Sequence, residues 1–197
     1  MNYYIADCHF GHPAIINLDH RHFADLQQME ESMVILRNAA VGKGDTIYIL
    51  GAFCWQKADE WLRILRRLNG QKVLIQGNHD LQKYPPELRK EFADIKEYKE
   101  FRDGDRHVIL SHYPIPFYKH SCDPRFFMLC GRVHTTKEDE WLEKWTAELR
   151  TTHRDETTPD HANNCGQIIN VGAMKPYMGY APRTLDELIL GALGRKV

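Results

Sequence analysis

Short apolar runs that each stop dead at a polar block constrain this chain more than anything else in it. Tyr3-Tyr4-Ile5-Ala6 stops at Asp7-Cys8-His9, Ile47-Tyr48-Ile49-Leu50 at Gly51-Ala52, and Val73-Leu74-Ile75 at Gly77-Asn78-His79-Asp80. Val108-Ile109-Leu110 stops at Ser111-His112, and the run ending at Cys130 stops at Gly131-Arg132-Val133-His134. The runs are rich in β-branched and aromatic residues and are bounded by glycines, which is the signature of strands rather than helices. Asp7 and His9 lie two apart at a strand end, so their side chains leave the backbone on the same side.

The chain is long enough, at 197 residues, for one α/β domain with a sizeable core and too short for two. We therefore expect a single domain over 1–197. Hydrophobic content of 43% and charged content of 27% are ordinary for a globular protein. A formal net charge of −1 supplies no global field for nucleic acid or an anionic membrane. The cysteines, five in number and without a CxxC pair, favour reduced thiols over a disulfide framework, and with them a cytoplasmic setting. The first residues lack the basic and apolar regions of a signal peptide, and no stretch approaches the ~20 apolar residues of a membrane span.

The patterning predicts strands over 2–6, 46–50, 73–75, 126–130 and 167–171, and helices over 25–40, 58–68 and 185–193. Leu26, Met29, Met33, Leu36 and Ala40 form the apolar stripe of the first helix. Runs at about 94–101 and 106–111 read as a hairpin around Asp103-Gly104. Helices alternate with strands early and strands cluster later, which suits two packed sheets flanked by helices. Residues 135–165 read as an insertion over one rim of the site. It opens with a charged helix carrying Trp141, Trp145 and Leu149, followed by a polar stretch over 151–164. The tryptophans either stack an aromatic ligand or pack the helix down, and packing is the commoner use of such a stripe.

In their order, the polar blocks resemble the calcineurin-like metallophosphoesterase superfamily, whose pattern runs DxH, GD, GNH[DE], H, GHxH. The resemblance covers nearly the whole chain and is least typical over 135–165. It implies a four-layer α/β/β/α sandwich holding two divalent ions (Mn, Fe, Zn or Ni) that activate water for phosphomonoester or phosphodiester hydrolysis. It further implies that Asp7, His9 and His134 bind the first metal, and Asn78 and His112 the second. His79 would assist the leaving group, oriented by Asp80. His12 matches a common form of the first block and would face the substrate phosphate, although a solvated loop histidine explains it equally well.

Two positions depart from that pattern. Ala52 stands where the resemblance puts the aspartate that bridges both metals, and Arg132 stands at the first histidine of GHxH. Alanine bridges nothing, and a guanidinium has no lone pair to donate. A +1 charge about 4 Å from a second +2 ion costs roughly 8 kcal/mol at an effective dielectric near 20. The expectation is one metal or none, and a chain impaired as a hydrolase. Arg132 has a constructive use too, gripping a phosphate bidentately. The expected partner is a phosphorylated small molecule or nucleotide, and a nucleic-acid substrate lacks a basic stripe to support it. The rival reading is a non-catalytic phosphate- or nucleotide-binding protein on the same scaffold. Cys54 and Trp55, next to the altered second block, either line the pocket or sit in the core, and a core role is the commoner use; Tyr177, Tyr180 and Arg183 border the substrate or pack, and the sequence favours neither.

Overall fold

A computed structural model describes residues 1–134, 136–152 and 165–195. The elements in chain order are β1 (Asn2–Ile5), α1 (Ile15–Leu18), α2 (Leu26–Ala40), β2 (Thr46–Leu50), α3 (Ala58–Leu65), β3 (Gln71–Ile75), α4 (Pro86–Lys90) and β4 (Phe92–Lys96). They continue with β5 (Tyr98–Asp103), β6 (Arg106–Ser111), β7 (Phe126–Cys130), α5 (Lys137–Thr152), β8 (Ile168–Asn170) and α6 (Leu185–Leu193). The strands form two four-stranded sheets, ordered β1-β2-β3-β4 and β5-β6-β7-β8. The first sheet is wholly parallel, and the second is parallel except for the β5–β6 hairpin. Together with the outer helices they make an α/β sandwich, two sheets flanked by helices as the patterning suggests and in the layered form that the resemblance implies.

The alternation of side chains along each strand builds these layers. In β6, Val108 and Leu110 join the main core while Ile109 faces the other way; in β7, Phe127 and Leu129 are split in the same manner from Phe126, Met128 and Cys130. The main core draws on both sheets and on α2, α3 and α6. The outer face of the second sheet is closed by Leu142 and Trp145 of α5. Tyr48 stacks between Tyr4 (5.4 Å) and Phe101 of β5 (4.7 Å), and the Tyr4 hydroxyl donates to Asp103, which ties the sheets together at one edge. Local signals agree with the elements: Asp25 caps α2, and Thr184 and Glu187 form a reciprocal capping box at α6.

Several expectations are corrected. The run at 94–101 is two strands, because β4 pairs with β3 in the first sheet while β5 crosses to the second. Its apolar content is low, so periodicity held no mark of the crossover at Glu97. The short helices α1 and α4 were not anticipated. Cys122 and Cys165 form a disulfide, against the expectation of thiols throughout, while Cys8, Cys54 and Cys130 are free and buried. The partners are 43 residues apart, so spacing held no sign of the pairing, which follows from the two chain segments entering β7 and β8 side by side. Trp145 packs on the second sheet, while Trp141 on the same helix is 64% exposed. No helix among the described residues is long and apolar enough to cross a membrane.

Candidate metal and phosphate site

The polar blocks converge because they follow the C-terminal ends of parallel neighbours, the edge at which open α/β sheets place their ligands. The loops after β1 and β2 run side by side: Asp7 N–H donates to Gly51 O, His9 N–H to Ala52 O and Phe10 N–H to Phe53 O. Across the sandwich, Ala6 N–H donates to Val171 O and Ala173 N–H donates to Ala6 O around the loop after β8, and Arg132 N–H donates to Asp7 Oδ2 at 3.0 Å. Five of the residues drawn together, Asp7, His9, Ala52, Arg132 and His134, hold left-handed backbone at φ 52°, 55°, 46°, 72° and 46°. Such conformations cost on the order of 1–3 kcal/mol each and persist where surrounding structure enforces them, commonly at functional sites.

Asp7, His9 and His134 bring one ligand atom each to within 4.8 Å of one another. Asp7 is wholly buried, and burial raises its pKa against the opposing pull of His134 and His112. Its Oδ1 and His9 Nε2 are buried without a hydrogen-bond partner. A buried polar atom left unsatisfied is costly, and two aimed at one point fit a cation. Burial, with His134 and Arg21 nearby, drives the His9 pKa down to about 2, so its ring is neutral and has a free lone pair. His134 Nδ1 lies 3.0 Å from Asp19 Oδ1, leaving Nε2 facing Asp7 Oδ1 at 3.7 Å. Burial alone would lower the His134 pKa, but the hydrogen bond and charge of Asp19 raise it overall. Asp19 is in turn held by Arg21, whose guanidinium also caps the carbonyls of Asp7 and Cys8 at 2.8 and 2.9 Å. This chain of carboxylate, imidazole and open nitrogen is the usual backing of a metal-binding histidine.

The second half of the site is differently made. His112 is clamped between two glycines: a Cβ at Gly51 would approach Nδ1 to 2.4 Å, and one at Gly77 would meet the ring at 2.9 Å. Its Nδ1 lies 2.8 Å from Leu50 O and its Nε2 lies 2.8 Å from Asn78 Oδ1, two carbonyl oxygens that accept from whichever ring nitrogen carries the proton. Beside this pair stand Ala52, buried and offering only a methyl group, and Arg132, half-buried and cationic. Two donors, one a neutral amide, do not fit a tightly held second ion.

Asp80 is buried, and burial lifts its pKa to about 6 against the pull of main-chain donors. Its carboxylate accepts from the N–H groups of Phe53 and Gly77 at 2.9 and 2.8 Å, so it pins the loops after β2 and β3 rather than orienting the His79 ring. His79 is exposed, and burial of its inner edge together with Arg132 lowers its pKa. Trp55, expected in the core, is 43% exposed; it stacks on His12 at 4.1 Å and meets the His79 ring at a tilt, 4.3 Å between centroids, forming one wall of the site. His12 also approaches His9, Nδ1 to Nδ1 at 3.1 Å.

Asp19 and Arg21 escaped the sequence reading because their loop matches no block; an acid and an arginine two apart just after the first block were the only available signal. Tyr180 packs on Phe23 at 4.7 Å with Arg21 over its ring, while Tyr177 and Arg183 bond main-chain carbonyls. Of the other histidines, His20 and His22 are exposed, His107 and His120 lie against Phe126, and residues 153 and 161 fall outside the described residues.

Fold and site together define an α/β sandwich protein with a candidate metal centre at its strand ends. The chain belongs to the family of the Uncharacterized protein MJ1445 of Methanocaldococcus jannaschii, with 30% identity over 141 residues, 71% of this chain and 72% of that protein. The crystal structure of the protein of unknown function AQ665 from Aquifex aeolicus matches with a TM-score of 0.62 at 27% identity, covering 92% of this chain and 94% of that one. A single mutant of Vps29 from Entamoeba histolytica matches at a TM-score of 0.36 and 17% identity, over 68% of this chain and 64% of that one. No protein-family model matches the chain.

Proposed function

We infer that this chain is a phosphoesterase of the calcineurin-like type in which one metal position is kept and the other, with Ala52 and Arg132 in place of ligands, is left with Asn78 and His112 alone. The observation that carries the reading is the pair of buried, unpartnered atoms Asp7 Oδ1 and His9 Nε2, grouped with His134. Asp7, His9 and His134 would hold a divalent ion, which would supply Lewis acidity at a phosphoryl oxygen and at the attacking water. The remaining roles belong to the chain itself. Arg132 offers planar N–H donors and a fixed charge to the phosphate, beside the carboxylate of Asp7 that its own N–H engages. His79, exposed and with a lowered pKa, offers an N–H to the leaving oxygen. Asn78 and His112 hold the floor between them. A donor set of one carboxylate and two imidazoles accepts several first-row ions, and affinity alone does not select one.

Half-buried Arg132 also favours a second reading, a phosphate- or nucleotide-binding protein that needs no metal. One experiment separates the two. Mn²⁺ binding by calorimetry and Mn²⁺-dependent hydrolysis of bis(nitrophenyl) phosphate are compared between this chain and its Ala52→Asp/Arg132→His double variant. The phosphoesterase reading expects about one ion and weak turnover in this chain, and two ions with much faster turnover in the double variant. Phosphate binding with no metal bound by either protein would leave the binding reading standing and remove the hydrolase.

A further inference from the structure

We propose that the cavity beside Arg132 is the subsite for an aromatic group carried on the phosphoester, a proposal that rests on the phosphoester reading above. The cavity has a volume of about 520 Å³ and is lined by Tyr113, Pro114, Pro116, Arg132, Trp141 and Trp145, with Glu138 at its edge. That volume lies within the usual range for small-molecule sites. The cavity is continuous with the candidate site along the chain: Tyr113 follows His112, and the N–H of Arg132 binds Asp7. A ligand whose phosphate lies on Arg132 therefore has its ester arm next to these rings.

Three observations select an aromatic arm. Tyr113 and Trp141 are 50% and 64% exposed, and Phe117, which meets Trp145 edge-on at 5.8 Å, is 86% exposed. Large exposed rings gathered at one opening are unusual on a lone soluble domain and mark binding surfaces. The rings stand on firm supports, so their exposure is built in. Trp145 is packed on the second sheet, and the first turn of α5 is tied down by Asp139, which binds Asn170 at 2.9 Å and the buried Lys175 ammonium at 2.7 Å. Charge supplies the third: Arg132 and Glu138 are the charged residues in a lining otherwise built of rings, prolines and aliphatic side chains, and Arg132 is the one that suits an anion joined to a flat hydrophobic group. Ring-on-ring stacking of this kind is worth about 1–3 kcal/mol per base in nucleic-acid sites, or roughly 5- to 150-fold in affinity.

The test is equilibrium binding to the full chain by calorimetry, with Mn²⁺ present, of methyl phosphate, phenyl phosphate and adenosine 5′-monophosphate. These ligands share the headgroup and differ in the arm. Phenyl phosphate is expected to bind at least about fivefold more tightly than methyl phosphate. Trp141→Ala should abolish that gain and leave methyl phosphate unchanged. Because Trp141 is mostly exposed, the substitution leaves the core intact. A Trp141-dependent gain for the nucleotide as well would identify a ring reached through a sugar; a gain confined to phenyl phosphate would identify a ring attached directly. Equal affinities for the methyl and phenyl compounds, or a gain that survives both Trp141→Ala and Tyr113→Ala, would overturn the proposal. A ring preference that holds while the Ala52→Asp/Arg132→His variant hydrolyses nothing removes the hydrolase reading and keeps the subsite. Turnover without ring preference does the reverse.

Discussion

The two halves of the site share their scaffold and differ in what backs each donor. Asp7, His9 and His134 present unpaired atoms to one another, and behind His134 stands a buried relay of Asp19 and Arg21 that reaches back to the carbonyls of Asp7 and Cys8. Asn78 and His112 are held just as firmly, by Leu50 O and two glycines, yet the hydrogen bonds of the His112 ring among the described residues go to Leu50 O and Asn78 rather than to a carboxylate. Both halves are thus firmly positioned, while only the first has a carboxylate among its grouped donors. The difference shows that backbone geometry and ligand charge are separable. The loops after β2 and β7 keep their left-handed turns at Ala52 and Arg132 although neither side chain serves as a ligand.

The comparison breaks most readily at Asp7. Asp7→Asn removes the only carboxylate among the three grouped donors and should lower Mn²⁺ affinity by at least about a hundredfold, more than the ~10–100-fold typical for groups behind a ligand. Calorimetry that found Mn²⁺ bound with unchanged affinity would place the ion elsewhere, and the contrast between the halves would have no basis.

Next in size is the relay itself. Arg21 and Asp19 are almost wholly buried, so Arg21→Met leaves a carboxylate without its cation and two carbonyls without donors. Breaking a buried pair from one side costs about 3–5 kcal/mol. For a chain of this size that corresponds to a fall in the thermal midpoint of roughly 6–20 °C. Asp19→Asn breaks the same buried pair from the other side, leaving the Arg21 guanidinium without its carboxylate, so a fall in thermal midpoint of similar size is expected. It also weakens the backing of His134, and a loss of about 10–100-fold in metal affinity is expected from the protein that remains folded. If Asp19→Asn left metal affinity intact, the first half would owe nothing to its relay, and the two halves would differ in charge alone.

How much of this was legible in the sequence follows from the same physics. The strand ends were readable, because each apolar run stops abruptly, three of them at a glycine and the other two at Asp7 and Ser111, and the parallel register then forces those ends together. Ala52 and Arg132 stood out because they interrupt an order that the neighbouring blocks keep. The relay was hidden: Asp19 and Arg21 act through a fold-back of the loop after β1, and nothing in their spacing announces burial. Trp55 was misread for a related reason. Beside Cys54 it looks like core, yet the turn after β2 sends Cys54 inward and lays the indole across His12 and His79. The crossing from β4 to β5 was equally silent, since a strand that changes sheets keeps its period. Cys122 and Cys165 were read as thiols because sequence separation does not reveal which loop entries become neighbours.

The smallest expected effect tests the second half on its own terms. Ala52 is buried at φ 46°, a conformation in which an L-residue with a Cβ is disfavoured by about 1–2 kcal/mol and glycine is not. Glycine gives back part of that gain, about 0.4–1 kcal/mol, through the greater freedom of the unfolded chain. Ala52→Gly should therefore stabilise the fold by roughly 0.5–1 kcal/mol and raise the thermal midpoint by about 1–4 °C, with no change in metal affinity. Aspartate at the same position tolerates left-handed backbone better than most residues. Ala52→Asp is thus expected to restore charge at little cost in strain, although it places a carboxylate in a buried pocket until a cation joins it. If glycine proved destabilising, the methyl group of Ala52 would be packing that the second half needs. The turn after β2 would then be adapted to alanine rather than left behind by a lost aspartate.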